Sequence, residues 1–281
     1  SNFTNTITMK IYITILLCIS FNYCKAVEVD STRKSVLEII GSDFSAAAEN
    51  AGYIYNEIGG LTWHSAAIVA GAGAGTFLVS TQDVSIRTKV IVGHTSASDK
   101  FNTTVKEYGG TYSILGFAGT LYIGGLIIGS DEVRTTGRLV AEALIVSGVT
   151  NTLLKFTLGR ARPYQNRGNS DFQWFEAGND FASLPSGHTN DAFTISTVLS
   201  DRINRWWATI PLYGLAVATG YSRMYHDQHW ASDVFLGAAI GYLSGKAITA
   251  AEEIRQNPSK TQGAGFRLYP SIGGIGIDYK F

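Results

Sequence analysis

The sequence predicts an all-α protein, a helical bundle with a short C-terminal β-ribbon. Three observations carry this. Hydrophobic residues make up 45% of the 281 positions and charged residues 16%, below the roughly 25% charged residues usual in soluble domains, and the apolar residues gather in stretches of helical length. Between 35 and 58 the apolar positions Val36, Ile40, Phe44, Ala47, Ala51, Ile54 and Ile58 recur every three or four residues, the period of an amphipathic helix. At the C-terminus the period changes to two in Ile275-Gly-Ile-Asp-Tyr-Lys-Phe281, as a strand requires.

The elements follow in order. Met9-Lys10 precedes an apolar run from Ile11 to Ile19, and Cys24-Lys25-Ala26 ends it with small residues where a signal peptidase inspects. So short an apolar core predicts a signal peptide cleaved after Ala26 rather than a membrane span; residues 1–8 lie upstream of it. Cys18 and Cys24 both fall in this segment, so the mature chain is expected to hold no disulfide, thiol nucleophile or Cys-ligated metal. Residues 27–60 are assigned to the N-terminal amphipathic helix. Apolar stretches at 61–80, 111–130, 138–158, 188–200, 206–222 and 233–250 form the bundle of 61–255, with the more polar 83–108 as a connection. The segment 164–184 lacks a helical period and holds Phe172, Trp174, Phe175 and Phe181; a loop this long either caps the bundle with its aromatics or lids a site. Residues 256–281 are a linker and the ribbon, in which Phe266–Tyr269 supplies the partner strand; one hairpin cannot close a barrel.

Lys plus Arg equals Asp plus Glu at 22 each, and the mean hydropathy is +0.09. No basic stripe or nucleic-acid-binding motif is present, so no nucleic-acid partner is expected, and no protein partner is predicted.

Three short clusters carry chemistry: Lys155-Phe-Thr-Leu-Gly-Arg-Ala-Arg162-Pro163, Pro185-Ser186-Gly187-His188, and Ser222-Arg223 followed by His229-Trp-Ala-Ser-Asp233. Lys155, Arg162 and Arg223 lie at the edges of apolar stretches, where a dry unpaired cation costs several kcal/mol. They call for an anion, and phosphate suits the guanidinium fork and the lysine point charge. Ser186 fits a helix N-cap whose free N–H groups also suit an anion. On a helix His229 and Asp233 would share a face, so that the carboxylate fixes the imidazole tautomer and leaves the other nitrogen free to attack phosphorus. His188 can protonate the leaving oxygen. Taken singly, each pattern also has an ordinary structural reading. No spacing among His226, Asp227, His229 and Asp233 matches a compact metal site, so neither metal nor cofactor is expected. His64, His94, His226 and Arg160 are assigned structural or surface roles, Arg160 being the foremost exception.

The three clusters together resemble the signature of the type 2 phosphatidic acid phosphatase and vanadium haloperoxidase superfamily. All eleven specified positions, from Lys155 to Asp233, match in order, and the resemblance covers about residues 110–250. It implies a helical bundle of that type, with 61–255 as a phosphatase domain. It implies His229 as a nucleophile forming a phosphohistidine, Asp233 orienting it, and His188 as the acid and then the base. Lys155, Arg162, Arg223, Ser186 and the Gly187 N–H would cradle the phosphate without a metal. The expected substrate is a phosphate monoester or pyrophosphate of a lipid, such as phosphatidic acid, phosphatidylglycerophosphate, undecaprenyl pyrophosphate or lipid A, in the bacterial cell envelope. A periplasmic acid phosphatase for soluble esters, a vanadate-dependent haloperoxidase and a non-enzymatic envelope protein are the alternatives.

Placement relative to the membrane is read from charge. The stretch 111–130 carries no charged residue and could span a bilayer, whereas Glu38, Asp43, Glu49 and Glu57 make 35–58 a poor span. After a signal peptide, three crossings would put Arg162 in the cytoplasm. This favours a periplasmic domain, soluble or peripheral at the membrane surface, over an integral one. The arginine pairs in 131–138 and 201–205 argue the other way, as cytoplasmic loops of an integral protein.

Overall fold

The computed structural model describes residues 35–59, 63–92, 94–176, 178–257, 265–271 and 274–280. The proposed signal peptide and most of the linker lie outside them. The α-helices among these residues are α1 (Val36–Gly59), α2 (Trp63–Ser80), α3 (Asp83–Val90), α4 (Ser96–Val105), α5 (Thr111–Ile128), α6 (Asp131–Leu158), α7 (Gly187–Ile203), α8 (Trp206–Tyr225) and α9 (Ala231–Gln256). Strands β1 (Gly265–Ser271) and β2 (Gly274–Lys280) pair antiparallel, Gly265 opposite Lys280 and Ser271 opposite Gly274. The all-α bundle expected from the apolar stretches is the fold observed.

α7 is the central helix. It packs between α6, α8 and α9, and Ala192, Ile195, Val198 and Leu199 join Leu139, Val140 and Ala143 of α6 and Ala216 of α8 in the core. Buried hydroxyls on it are paired, as burial demands: Thr194 Oγ1 donates to the Asn190 carbonyl at 2.8 Å, and Ser196 Oγ donates to the Leu212 carbonyl at 2.9 Å. α9 approaches α7 closely at Gly241, where a Cβ would stand 2.2 Å from the Asn190 carbonyl oxygen.

α6 begins seven residues before the stretch at 138–158. Ser130 caps it by accepting the Val133 N–H, and Asp131 and Glu132 fill the first turn, where acidic groups meet the positive end of the helix dipole. The arginines read as a loop in 131–138 are therefore helical, Arg138 buried and Arg134 partly so. Arg134 pairs with Asp43 at 2.8 Å and Asp131 at 2.5 Å; Arg138 pairs with Glu142 at 2.5 Å and Glu252 at 2.8 Å. The loop expected at 131–138 is thus a helical segment whose arginines find carboxylate partners in α1, α6 and α9.

Among the described residues three helices, α5, α6 and α9, are long and apolar enough to cross a membrane. Ile123, Ile127 and Ile128 of α5 and Ile145, Val149 and Leu153 of α6 are exposed. Large apolar side chains grouped on outer helix faces suit lipid and agree with membrane association. The expectation of a soluble domain finds no support in them.

Candidate active site

The site forms where the end of α6, the start of α7 and the turn between α8 and α9 meet. Lys155 lies in the last turn of α6. Gly159 closes that helix with φ 54°, a left-handed conformation suited to glycine. A side chain there is also barred by space, since a Cβ would lie 1.7 Å from the Gln173 carbonyl oxygen, and the Gln173 N–H donates to the Gly159 carbonyl at 2.7 Å. The chain leaves this cap through Arg160 and Arg162 and returns at Ser183 to start α7. Within 164–184, Trp174 and Phe175 remain exposed, while Phe175 meets Phe156 edge-on at 5.7 Å.

Ser186 is the N-cap of α7, as predicted, but makes no side-chain cap. Its hydroxyl accepts from Thr189 Oγ1 at 2.9 Å, and its N–H donates to the Asp233 carbonyl at 2.9 Å. The next N–H groups, those of Gly187 and His188, belong to a first helical turn and lack intrahelical acceptors. Asn151, one turn before Lys155, faces the same place. A Cβ on Gly187 would lie 3.9 Å from Asn151 Oδ1 and 4.0 Å from Lys155 Cε, and the buried Asn151 Nδ2 has no hydrogen-bond partner.

His229 is 4% exposed. Its Nδ1 lies 2.7 Å from the Ser183 carbonyl oxygen. A carbonyl only accepts, so Nδ1 carries the proton and Nε2 keeps its lone pair. Asp233 Oδ2 lies 3.8 Å from Nδ1, at ion-pair distance but too far for a hydrogen bond. The reason is local: α9 starts at Ala231, so His229 precedes the helix and the four-residue spacing does not put the pair on one face. Asp233 instead accepts from the Trp230 N–H at 2.8 Å, Ser183 Oγ at 2.5 Å and Arg160 at 2.6 Å. It holds the residue whose carbonyl holds His229.

All three predicted cations act electrostatically on His188, and Lys155 and Arg162 act on His229 as well. Burial, followed by the fields of Arg223, Lys106, Lys155 and Arg162, pulls the His188 pKa down to about 3. Burial likewise takes His229 to about 3, with Asp233 opposing it and Lys155 and Arg162 adding to the shift. Both rings are therefore neutral at pH 7. The cations themselves meet only neutral groups among the described residues. Lys155 Nζ donates to the Ala182 carbonyl at 2.6 Å. Arg162 donates to the Asn179 carbonyl and side chain, both at 2.9 Å, and to Gln228 at 2.7 Å. Arg223 is 9% exposed and its Nε has no partner. By contrast Arg160 is buried between Asp83 at 2.7 Å and Asp233 at 2.6 Å, a structural role that depends on an aspartate the sequence did not single out. His226 Nδ1 meets the Ser222 carbonyl at 2.7 Å, and His94 pairs with Asp99 at 3.0 Å away from the cradle; nothing is described of the His64 side chain.

Residues 137–256, which contain all these cations and both histidines, match the family described as the PAP2 superfamily. It is this region, less than half of the chain, that is similar to the PAP2 superfamily. The chain is 36% identical over 113 residues to a lipid A 1-phosphatase from Porphyromonas gingivalis, covering 38% of this chain but 22% of the relative. A lipid A 4'-phosphatase from Helicobacter pylori is 24% identical over 170 residues, covering 57% of this chain and 79% of the relative. The chain thus spans about a fifth of the length of the Porphyromonas protein. Among solved structures, a transmembrane PAP2 type phosphatidylglycerolphosphate phosphatase from Bacillus subtilis superposes with a TM-score of 0.53 at 19% identity, over 66% of this chain and 95% of that one; a likeness at that identity concerns the fold. Asp83 and Lys106 lie outside the matched PAP2 region, and a motif reading alone therefore passes over them.

Proposed function

We propose that this protein is a phosphatase of the bacterial envelope that removes a phosphate carried by a lipid, lipid A being the first candidate, with its site facing the periplasm. The observation that carries this is the set of three cations, Lys155, Arg162 and Arg223, grouped near two neutral imidazoles, none of them in a direct ion pair with a carboxylate among the described residues. A tetrahedral dianion supplies the missing charge. The names of the relatives and the apolar outer faces of α5 and α6 favour a lipid as its carrier.

In this reading His229 Nε2 attacks phosphorus in line with the ester oxygen, and the P–N bond forms as the P–O bond breaks. His188 gives its proton to the departing oxygen. The dianion raises the pKa of His188 by offsetting the surrounding cations, so the ring takes up a proton as substrate binds. Water then displaces His229 from phosphorus, with neutral His188 taking its proton. Lys155, Arg162, Arg223, Ser186 and the Gly187 N–H stabilise the charge on the equatorial oxygens. Asp233 positions His229 through Ser183.

The test is phosphate release by the purified full chain in detergent. The panel is lipid A, phosphatidylglycerophosphate, phosphatidic acid, undecaprenyl pyrophosphate and p-nitrophenyl phosphate. Turnover of at least one lipid, competitive inhibition by vanadate and an acid-labile phosphoprotein intermediate are expected. Inactivity on the whole panel together with no vanadate binding would overturn the reading.

A further inference from the structure

We propose that α3, the helix Asp83–Val90, is a clamp that fixes the position of His229 from both sides. His229 sits in the turn His226–Trp230 between α8 and α9, and α3 grips that turn before and after the histidine. On the upstream side Arg87 makes a two-pronged contact with Asp227, Nε to Oδ1 at 2.7 Å and NH2 to Oδ2 at 2.6 Å. Asp227 has φ 55°, a conformation sparsely populated by non-glycine residues and kept only where surrounding contacts over-determine it. On the downstream side Asp83, fully buried, accepts from the Ser232 N–H at 2.9 Å, from Ser232 Oγ at 2.6 Å and from Arg160 at 2.7 Å. Asp83 and Arg87 are one helical turn apart and so share a face.

The grip reaches the imidazole through a continuous chain of short contacts. Asp83 holds Arg160, Arg160 holds Asp233, Asp233 holds Ser183, and the Ser183 carbonyl holds His229 Nδ1. Between the two grips, the guanidinium groups of Arg87 and Arg160 lie 5.6 and 5.7 Å from the Trp230 ring centroid. Trp230 is thereby fixed beside the histidine. Neither Asp83 nor Arg87 takes part in the phosphate cradle described above, and α3 lies outside the region matched to the PAP2 superfamily. They are positioning residues, acting on the attacking nitrogen through others.

This inference rests on His229 as the nucleophile, and its test separates the two ideas. The full chain would be assayed in detergent on whichever panel substrate it turns over, with vanadate affinity, the single-turnover rate of phosphohistidine formation and thermal midpoint measured alongside. Arg87→Asp and Asp83→Asn are expected to lower kcat and the rate of phosphohistidine formation tenfold or more, while KM and vanadate affinity stay within about threefold because the cradle is intact. The exchange Arg87→Asp with Asp227→Arg restores the ion pair in reverse and is expected to recover most of the loss. Should either single variant fold poorly, Arg87→Lys keeps the charge and loses the fork, and a severalfold drop in kcat is expected of it. Wild-type rates of phosphohistidine formation in the folded variants would overturn the clamp and leave the phosphatase reading standing. No turnover and no phosphohistidine from the wild-type chain would instead remove the phosphatase reading on which the clamp depends.

Discussion

The two ends of α6 carry buried cations in opposite circumstances. At its start, Arg134 and Arg138 are enclosed by Asp43, Asp131, Glu142 and Glu252, and every guanidinium meets a carboxylate. At its end, about 25 Å away by the rise per residue, Lys155 shares the site with Arg162 and Arg223; the first two donate to carbonyls and amides, and Arg223 Nε has no partner. The first group closes its charge within the chain and ties α1 and α9 to α6. The second leaves positive charge for a molecule that is not part of the chain. Charge of one sign thus serves architecture at one end and, in the function proposed here, binding at the other, and the partner residues decide which.

The largest effect that would sharpen this comparison is expected at the open end. His229→Ala should lower turnover at least about 1000-fold with an unchanged thermal midpoint; phosphate release and calorimetry on the same preparation check both. Arg223→Met should lower kcat/KM about 100-fold or more, the scale seen for loss of one donor to a developing oxyanion, and leave the unliganded protein as stable as before, because no ion pair is broken. Arg138→Met should do the opposite. Removing one partner of a buried ionic group costs about 3–5 kcal/mol, read as a lowered midpoint, with vanadate affinity retained in the folded fraction. Equal destabilisation by the two substitutions would break the distinction.

Smaller effects follow from ligand and pH. Vanadate at about 100 times its Kd should stabilise the wild-type chain by about 2.7 kcal/mol and the Arg223→Met variant much less. His188 and His229 have folded pKa values of about 3, lowered first by burial, against about 6.5 in an unfolded chain. Above that unfolded value both states are neutral and contribute no pH dependence. As pH falls from about 6.5 to about 3 the unfolded state takes up protons that the folded state refuses, so stability declines through that window. Thermal scans in detergent across it check the sign. Vanadate should flatten the decline by raising the His188 pKa, detected as proton uptake on binding.

What the sequence revealed was carried by short segments. Lys155, Arg162, Ser186, His188, Arg223 and His229 sit in compact clusters whose spacing can be read directly, and the helices emerge from apolar stretches. What it concealed depended on distant partners or on the backbone. Arg160 finds Asp83 across 77 positions, and no local pattern joins them. The acceptor for His229 is a main-chain carbonyl of Ser183, which leaves no mark in residue identity. The charges of 131–138 read as a loop because the acids that bury them, Asp43 and Glu252, come from far along the chain.

The grip of α3 on the catalytic turn bears on how the protein can be divided. The matched region opens at Gly137, inside α6, and a fragment excised there would retain every group of the proposed phosphate cradle. It would lack Asp83 and Arg87, leaving Arg160 with one of its two carboxylates and Asp227 without its guanidinium. It would also lose Asp43 from the closed cluster. A transplantable version of this site therefore has to begin upstream of Asp83, and a chimera joined at the family boundary would inherit the chemistry without the scaffold that aims it.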